Sequence, residues 1–417
     1  MPASAPITGD LDLSRDDFWA RPHERRHAAY ARLRAMTAPL FFEAPPSPYG
    51  KDEAGYYALV RHADIVEASR NPRIFSSASG TTSITDRPAE MNEFFGSMIH
   101  MDDPRHGRLR RIVSRGFTPR MIRKFEEDVQ KAAAAIAGKM LAAGTGEFVA
   151  DVAARLPLKV ICDMMGVGDE HYDMVLRASI IILAGGDPEL VSQDMDTARA
   201  QLMASVQAMT GLMRTLAAER EAGPRDDLIS ALVSANVDGE RLTPEELGSF
   251  FILLTVAGNE TTRNALSHAL VLLTEHPDQR EFLMADFEGR IDAAVEEVIR
   301  YASPIIWMRR TVTADTVLNG QSFAEGDKVL MFYQSANRDE AVFTDPDRFD
   351  ITRSPNPHVG FGGPGPHFCL GAHLARREIR VMLRELLTRA PAVRASGDPA
   401  YLRSSFLNGI KRLPYEF

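Results

Sequence analysis

Between about Pro104 and Ala302, apolar residues return at steps of three and four in segments rich in Ala, Leu, Met, Glu and Arg. This period predicts a succession of amphipathic helices. One of them stands apart. Thr243 can cap, Pro244 suits a first helical position, and Glu246 completes a capping box. The next breaker is His276-Pro277, so the helix runs for about 32 residues, roughly 48 Å at ~1.5 Å per residue. From Phe250 to Ala257 it is apolar on nearly every face, which predicts burial. After Ala302 the period shortens. Residues 303–333 alternate β-branched and aromatic positions around a turn at Asn319-Gly320, and Gly55–Arg61 reads as an earlier strand. Residues 334–368 are rich in Pro, Asn, Asp and Gly and read as loop. A last helix is expected from about Leu370 to Arg389, then short strands near Ser404–Leu413. The expected class is mostly α with a small β region (α+β). No repeat or linker divides the chain, so one domain over residues 1–417 is expected, its first 22 residues a partly flexible N-terminal segment.

The long helix breaks its own rule in the middle. Ala257-Gly258-Asn259-Glu260-Thr261-Thr262 sets small, acidic and β-branched hydroxyl residues where helix formers belong. Such breaks in a buried element often mark a functional site. Ala257 and Gly258 would let a flat cofactor approach the backbone, and Glu260 and Thr261 could deliver protons there. A simple kink with a capped bend fits the same residues.

The segment from Phe361 to Arg376, Phe-Gly-Gly-Pro-Gly-Pro-His-Phe-Cys-Leu-Gly-Ala-His-Leu-Ala-Arg, carries the second signal. Gly362, Gly363, Gly365 and Gly371 permit a tight backbone around Cys369, which precedes a predicted helix. Amide N–H groups and the positive helix end favour its thiolate. Cys162 is the only other cysteine and reads as an inert buried thiol. Two cysteines exclude a disulfide framework and a four-Cys metal centre.

This segment resembles the cysteine-loop signature of the cytochromes P450, F-G-x-G-x-H-x-C-x-G-x-x-L-A-R. Phe361 lies one residue farther from the Cys than in that pattern. Ala257–Thr262 resembles the family's oxygen-activation motif, and Glu297-Val-Ile-Arg300 its E-x-x-R motif. The three occur in the family's order. The resemblance implies a haem held between the long central helix and the Cys-loop helix. By it, Cys369 is the axial iron ligand of haem b, Glu260 and Thr261 relay protons to O2, and Ala257 and Gly371 lie against the cofactor. His106 and Arg110 match the family's H-x-x-x-R, and Arg310 and His367 the other propionate partners. Glu297 and Arg300, with Arg348 from Pro346–Phe349, match a structural triad. The implied activity is monooxygenation, with NAD(P)H electrons arriving through separate partners, a ferredoxin and a ferredoxin reductase, since no flavin or ferredoxin module is visible in these residues.

Composition narrows the setting. The formal net charge of -9 argues against general nucleic-acid binding. No apolar run approaches the ~20 residues of a membrane span, and no secretory signal is visible at the start, so a cytoplasmic, monomeric protein is expected. Seven Arg between Arg105 and Arg123, continued by Arg376, Arg377 and Arg380, read either as a solvated face or as a docking surface for an acidic ferredoxin.

Within the family the resemblance is to actinobacterial members that oxidise methyl-branched lipids at the terminal carbon and sterol side chains. It rests on Phe95–Ile99, Asp102–His106, Ile161–Gly166, Val256–Asn264 and Asn408–Lys411. It implies a pocket drawn from Phe94, Phe95, Met98, Ile99, Leu254, Ala257, Ile305, Ile306, Trp307 and Phe406. The alternatives are a hydroxylase of terpenes or macrolides in secondary metabolism and a haem-binding sensor without turnover. A sensor would not need the Glu260–Thr261 pair, and a peroxygenase would more often replace it.

Overall fold

In a computed structural model, residues 9–45, 53–87, 97–116, 119–183, 187–237 and 240–417 are described. The central helix spans Pro244–Glu275, and its capping box forms as the sequence dictates. Thr243 Oγ1 accepts from the N–H of Glu246 at 3.1 Å, and the Glu246 carboxylate accepts from the N–H of Thr243 at 3.1 Å. Pro277 opens the next helix, so the chain turns at His276.

Two cores meet along this helix. Leu247, Phe250, Phe251, Ile252 and Val256 pack with Leu158, Ile161, Met209 and Met213. Beyond the motif, Ala265, Leu266 and Leu270 join Val298, Ile379, Met382 and Leu386 in a second cluster. The second core brings Phe287–Ala302 and the Cys-loop helix Ala372–Arg389 against the central helix. Residues 257–264 fall at the seam. Their helical neighbours on both sides are anchored, which holds poor helix formers in register.

The β part is small. Its largest sheet has the order Leu40–Phe42, Tyr56–Leu59, Lys328–Phe332, Trp307–Val312, Phe75–Ser76. Tyr56–Leu59 pairs parallel with Lys328–Phe332, and the other neighbours are antiparallel. The Asn319-Gly320 turn joins two short strands, with Asn319 at φ 49° and Gly320 at φ 76°, the left-handed geometry such a turn requires. The tail hairpin pairs Ala400–Tyr401 with Ile410–Arg412. Its tip reaches the central helix, where the N–H of Ile410 meets Asn264 Oδ1 at 3.3 Å and His268 Nε2 lies 2.9 Å from the carbonyl oxygen of Asn408.

From residue 9 onward the N-terminal segment is packed. Leu11, Leu13, Phe18 and Trp19 join Tyr30, Trp307 and Phe332 in one cluster. No helix among the described residues is long and apolar enough to cross a membrane.

Candidate active site

Leu254, Gly258 and Thr261 are half-buried and Ala257 is exposed, although the helix on either side is buried. These positions are a turn apart, so they form one open face. Thr261 lies on that face, its hydroxyl donating to the carbonyl oxygen of Ala257 at 2.8 Å. Glu260 does not. Its carboxylate is 2% exposed and clamped by Arg263 at 2.5 and 2.8 Å. Burial pushes the Glu260 carboxyl up, and the Arg263 charge pulls it back down. Beside it Asn259 is buried, with neither side-chain polar atom partnered.

The cysteine loop is as tight as its glycines imply. Gly362 sits at φ 86°. A Cβ at Gly365 would collide with the carbonyl oxygen of Ser69, and one at Gly363 with Ser69 Oγ. The extra residue is absorbed by this Gly-rich bend. The N–H of Cys369 still donates to the carbonyl oxygen of Phe361 at 3.0 Å, and the Phe361 ring lies 4.4 Å from the Arg376 guanidinium. Cys369 is exposed, yet the loop around it desolvates the thiol enough to raise its pKa. A hydrogen bond from the backbone of Gly371 and the charges of Arg110 and Arg376 oppose that rise. The second thiol, Cys162, is fully buried and pushed up to about 12 by desolvation, so it is inert.

Four donors gather beside the cysteine. The rings of His106 and His367 stand 4.2 Å apart. Arg110 donates to the carbonyl oxygen of Phe368 at 2.7 Å. Burial, then Arg310, His106 and Arg110, push His367 down to about 2. Arg310 is 5% exposed and donates to the carbonyl oxygen of Arg309 at 2.7 Å. Among the described residues neither Arg110 nor Arg310 pairs with a carboxylate, and His106 Nε2 is buried without a partner. Arg110 is half-buried, while Arg310 is a buried cation and requires counter-charge. The donor set, a loop-held thiol and an open helix face fit a haem with its two propionates.

The structural triad is corrected. Glu297 and Arg300 are fully buried and paired at 2.7 and 2.8 Å. The third side chain is that of Arg353, whose Nε lies 3.3 Å from Glu297. Arg348 turns its side chain outward and contributes only its carbonyl oxygen, which accepts from Arg300 at 3.1 Å. Both arginines lie in one loop, and only its folded path decides which points inward.

The expected pocket wall is corrected as well. Ile306 and Trp307 are buried at 0% and 2% in the N-terminal cluster. The half-buried neighbours are Ile305, bridged to Leu407, and Phe406, whose ring meets that of Trp307 edge-on at 5.1 Å. Trp307 therefore backs Phe406. Met98 is buried in the core that contains Leu109 and Ile112, while Ile99 is half-buried. Phe94 and Phe95 lie outside the described residues, as do the side chains of Arg115 and Arg123.

The expected basic extension after the Cys loop is not a free patch. Arg376 pairs with Glu296 at 2.5 Å, Arg377 with Glu126 at 3.7 Å, and Arg380 with Asp292 at 2.8 Å. Arg105 pairs with Glu246 at 3.1 Å.

The Cytochrome P450 family pattern matches residues 180–289 and 290–390. The chain belongs to the cytochrome P450 family, and so to the haem- and O2-dependent oxidoreductases. It is 46% identical to a methyl-branched lipid omega-hydroxylase of Mycobacterium tuberculosis, over 99% of this chain and 96% of that one. It is 38% identical to a steroid C26-monooxygenase of Mycolicibacterium smegmatis, over 93% and 89%. A Mycobacterium marinum cytochrome P450 solved in complex with pseudoionone superposes with a TM-score of 0.94 at 41% identity, over 100% of both chains.

Proposed function

We propose that this monooxygenase hydroxylates the terminal carbon of methyl-branched lipids, isoprenoids or sterol side chains. The observation that carries the reading is end-to-end similarity to the methyl-branched lipid omega-hydroxylase, 46% over 99% of the chain. A branched chain end makes a specific physical demand. The tertiary C–H bond beside the branch is weaker than the primary one at the terminus. Terminal attack therefore needs walls that present only the chain end, since an error of ~1 Å can cost about a hundredfold. Phe406 and Ile305, with Trp307 behind, supply bulk for such a wall, and Ala257 leaves room on the helix face.

Each site residue has a role in this proposal. His106, Arg110, Arg310 and His367 would hold the propionates through charge-assisted hydrogen bonds. Cys369 would be the iron ligand, its thiolate favoured by the backbone of Gly371 and by Arg110 and Arg376. When bound, the haem supplies the iron on which O2 is activated. Thr261 Oγ1, on the open face, would pass protons toward the O2 site. Glu260 would feed it from the buried side, where Arg263 holds its carboxyl. Electrons are proposed to come from NAD(P)H through a ferredoxin and its reductase.

Product analysis by mass spectrometry tests this reading, using a phytanic-type acid, a farnesol-type terpenoid and cholestenone with a surrogate ferredoxin system. Terminal hydroxylation of at least one is expected. Oxidation mainly at mid-chain carbons, or binding of none, would favour a terpene or macrolide substrate. Cys369→Ala should abolish the far-red Soret band of the reduced CO complex. A variant that kept the band would overturn the ligand assignment.

A further inference from the structure

A second group of buried cations lies away from the cysteine. The helix His23–Arg34 carries His23, Arg26, His27 and Tyr30 on its inner side. The His23 ring stands 6.1 Å from His27, 6.4 Å from His268 on the central helix and 4.2 Å from Tyr401 on the tail hairpin. Arg338 completes the group electrostatically, its charge acting on His23, His27, Tyr30 and His268.

Charge and hydrogen-bond balance are both unmet here. Arg26 is 4% exposed, its Nε is buried without a partner, and its guanidinium forms no ion pair among the described residues. Arg338 is 2% exposed. It donates to the carbonyl oxygen of Tyr301 at 2.9 Å and lies 3.3 Å from the exposed Asp347, but its Nη1 has no partner. His23 Nε2, His27 Nε2 and the Tyr30 hydroxyl are buried and unpartnered too. Glu24 and Glu275 are exposed and reach the group only at a distance.

A guanidinium can only donate, so these atoms call for an acceptor. A buried charge without a counter-charge is also strongly disfavoured. Three imidazoles suggest a metal ion at first sight. The two guanidinium charges repel one, and no three-ligand metal geometry forms among the described residues. Burial and the arginine charges push His23 down to about 2 and His268 to about 4, so the positive charge rests on the arginines.

We propose that His23, Arg26, His27, Tyr30 and Arg338 bind one small inorganic anion, of which chloride is the simplest. The anion offsets one of the two guanidinium charges and ties the helix His23–Arg34 to the segment that carries Arg338. It stabilises the folded chain by mass action, because the unfolded chain has no such site. Above the dissociation constant, each tenfold rise in chloride should raise the unfolding midpoint of the haem-loaded protein by about 1.5 °C.

The experiment compares sodium chloride with sodium gluconate at matched ionic strength. A rise confined to chloride and lost in Arg26→Gln is expected. An equal rise in both salts is screening alone and overturns the proposal. Bromide-soaked crystals of the unmodified protein give a readout independent of the variant's folding. An anomalous peak between Arg26 and Arg338 is expected, and its absence overturns the site.

Discussion

Removing the Arg353 side chain should destabilise the protein by about 3 kcal/mol, and removing that of Arg348 by no more than about 0.5 kcal/mol. The Arg353 side chain is 9% exposed, and its Nε lies 3.3 Å from Glu297. It also donates to the carbonyl oxygens of Thr344 at 2.8 Å, and of Asp345 and Arg348 at 3.2 Å. Hydrogen bonds to charged groups contribute about 1.5–3 kcal/mol each and do not add. Two facts hold the loss below the sum. The carbonyls lie near the surface and regain water. Glu297 keeps both contacts to Arg300 and accepts from the N–H of Asp350 at 2.9 Å, so it is not left bare. The full cost of stripping a buried pair, about 3–5 kcal/mol, is therefore an upper bound. Arg348→Ala keeps the only atom that acts inside, its carbonyl oxygen. The assay is urea unfolding of the two haem-loaded alanine variants, followed by circular dichroism, with the midpoint as readout. If Arg348→Ala lost as much stability as Arg353→Ala, the assignment of Arg353 would be wrong.

Thr261→Ala should bind substrate and consume NAD(P)H at near-normal rates, while product falls and peroxide rises several-fold; unchanged coupling would remove Thr261 from the relay. Phe406→Ala should shift hydroxylation from the terminus toward the branch carbon, read by mass spectrometry, and an unaltered product ratio would argue against a wall there. Glu378 is 2% exposed, and burial alone pushes its carboxyl well above 4.5. A carboxyl raised on folding binds its proton more tightly in the folded state, so its contribution is intact below the unfolded pKa and is lost as pH rises through the folded one. Glu378→Gln should therefore flatten the loss of thermal stability as pH rises above the unfolded carboxyl value and leave stability below it little changed; parallel pH profiles would refute this.

The parts of the fold legible in the sequence are those set by local chemistry. Thr243, Pro244 and Glu246 specify the start of the central helix through groups within one turn, and Pro277 stops it. Gly363 and Gly365, ahead of Cys369, announce a backbone with no room for Cβ, and a Cβ at either would collide with Ser69. What stayed illegible depends on which way a segment faces after folding. Strand alternation puts Trp307 and Met308 on opposite faces, but does not say that the Trp307 face meets the N-terminal segment. The helix His23–Arg34 leaves little periodic signal, because its buried face carries Arg26 and Arg34 among few apolar positions. Arg34 is held by Glu340 at 2.7 Å, a partner 306 residues away.

The motif on the central helix was legible for the opposite reason, since it violates local preference. Gly costs about 1 kcal/mol relative to Ala inside a helix, and Asn, Glu and Thr up to about 0.7 kcal/mol each, so Gly258–Thr262 costs roughly 3 kcal/mol. A helix of this length could not hold such a segment on propensity. Buried Leu or Phe side chains contribute about 1.5–3 kcal/mol each, so Phe250, Phe251 and Ile252 on one side and Leu266 and Leu270 on the other offset it several times over. The long apolar flanks and the polar break therefore belong to one design. Flanks anchored in separate cores fix the helix at both ends, which lets the segment between them be chosen for an open face at Ala257, a hydroxyl at Thr261 and a clamped acid at Glu260. Substitutions in the flanks should accordingly act through stability, whereas those at Ala257 and Thr261 should act through coupling and product with little change in folding.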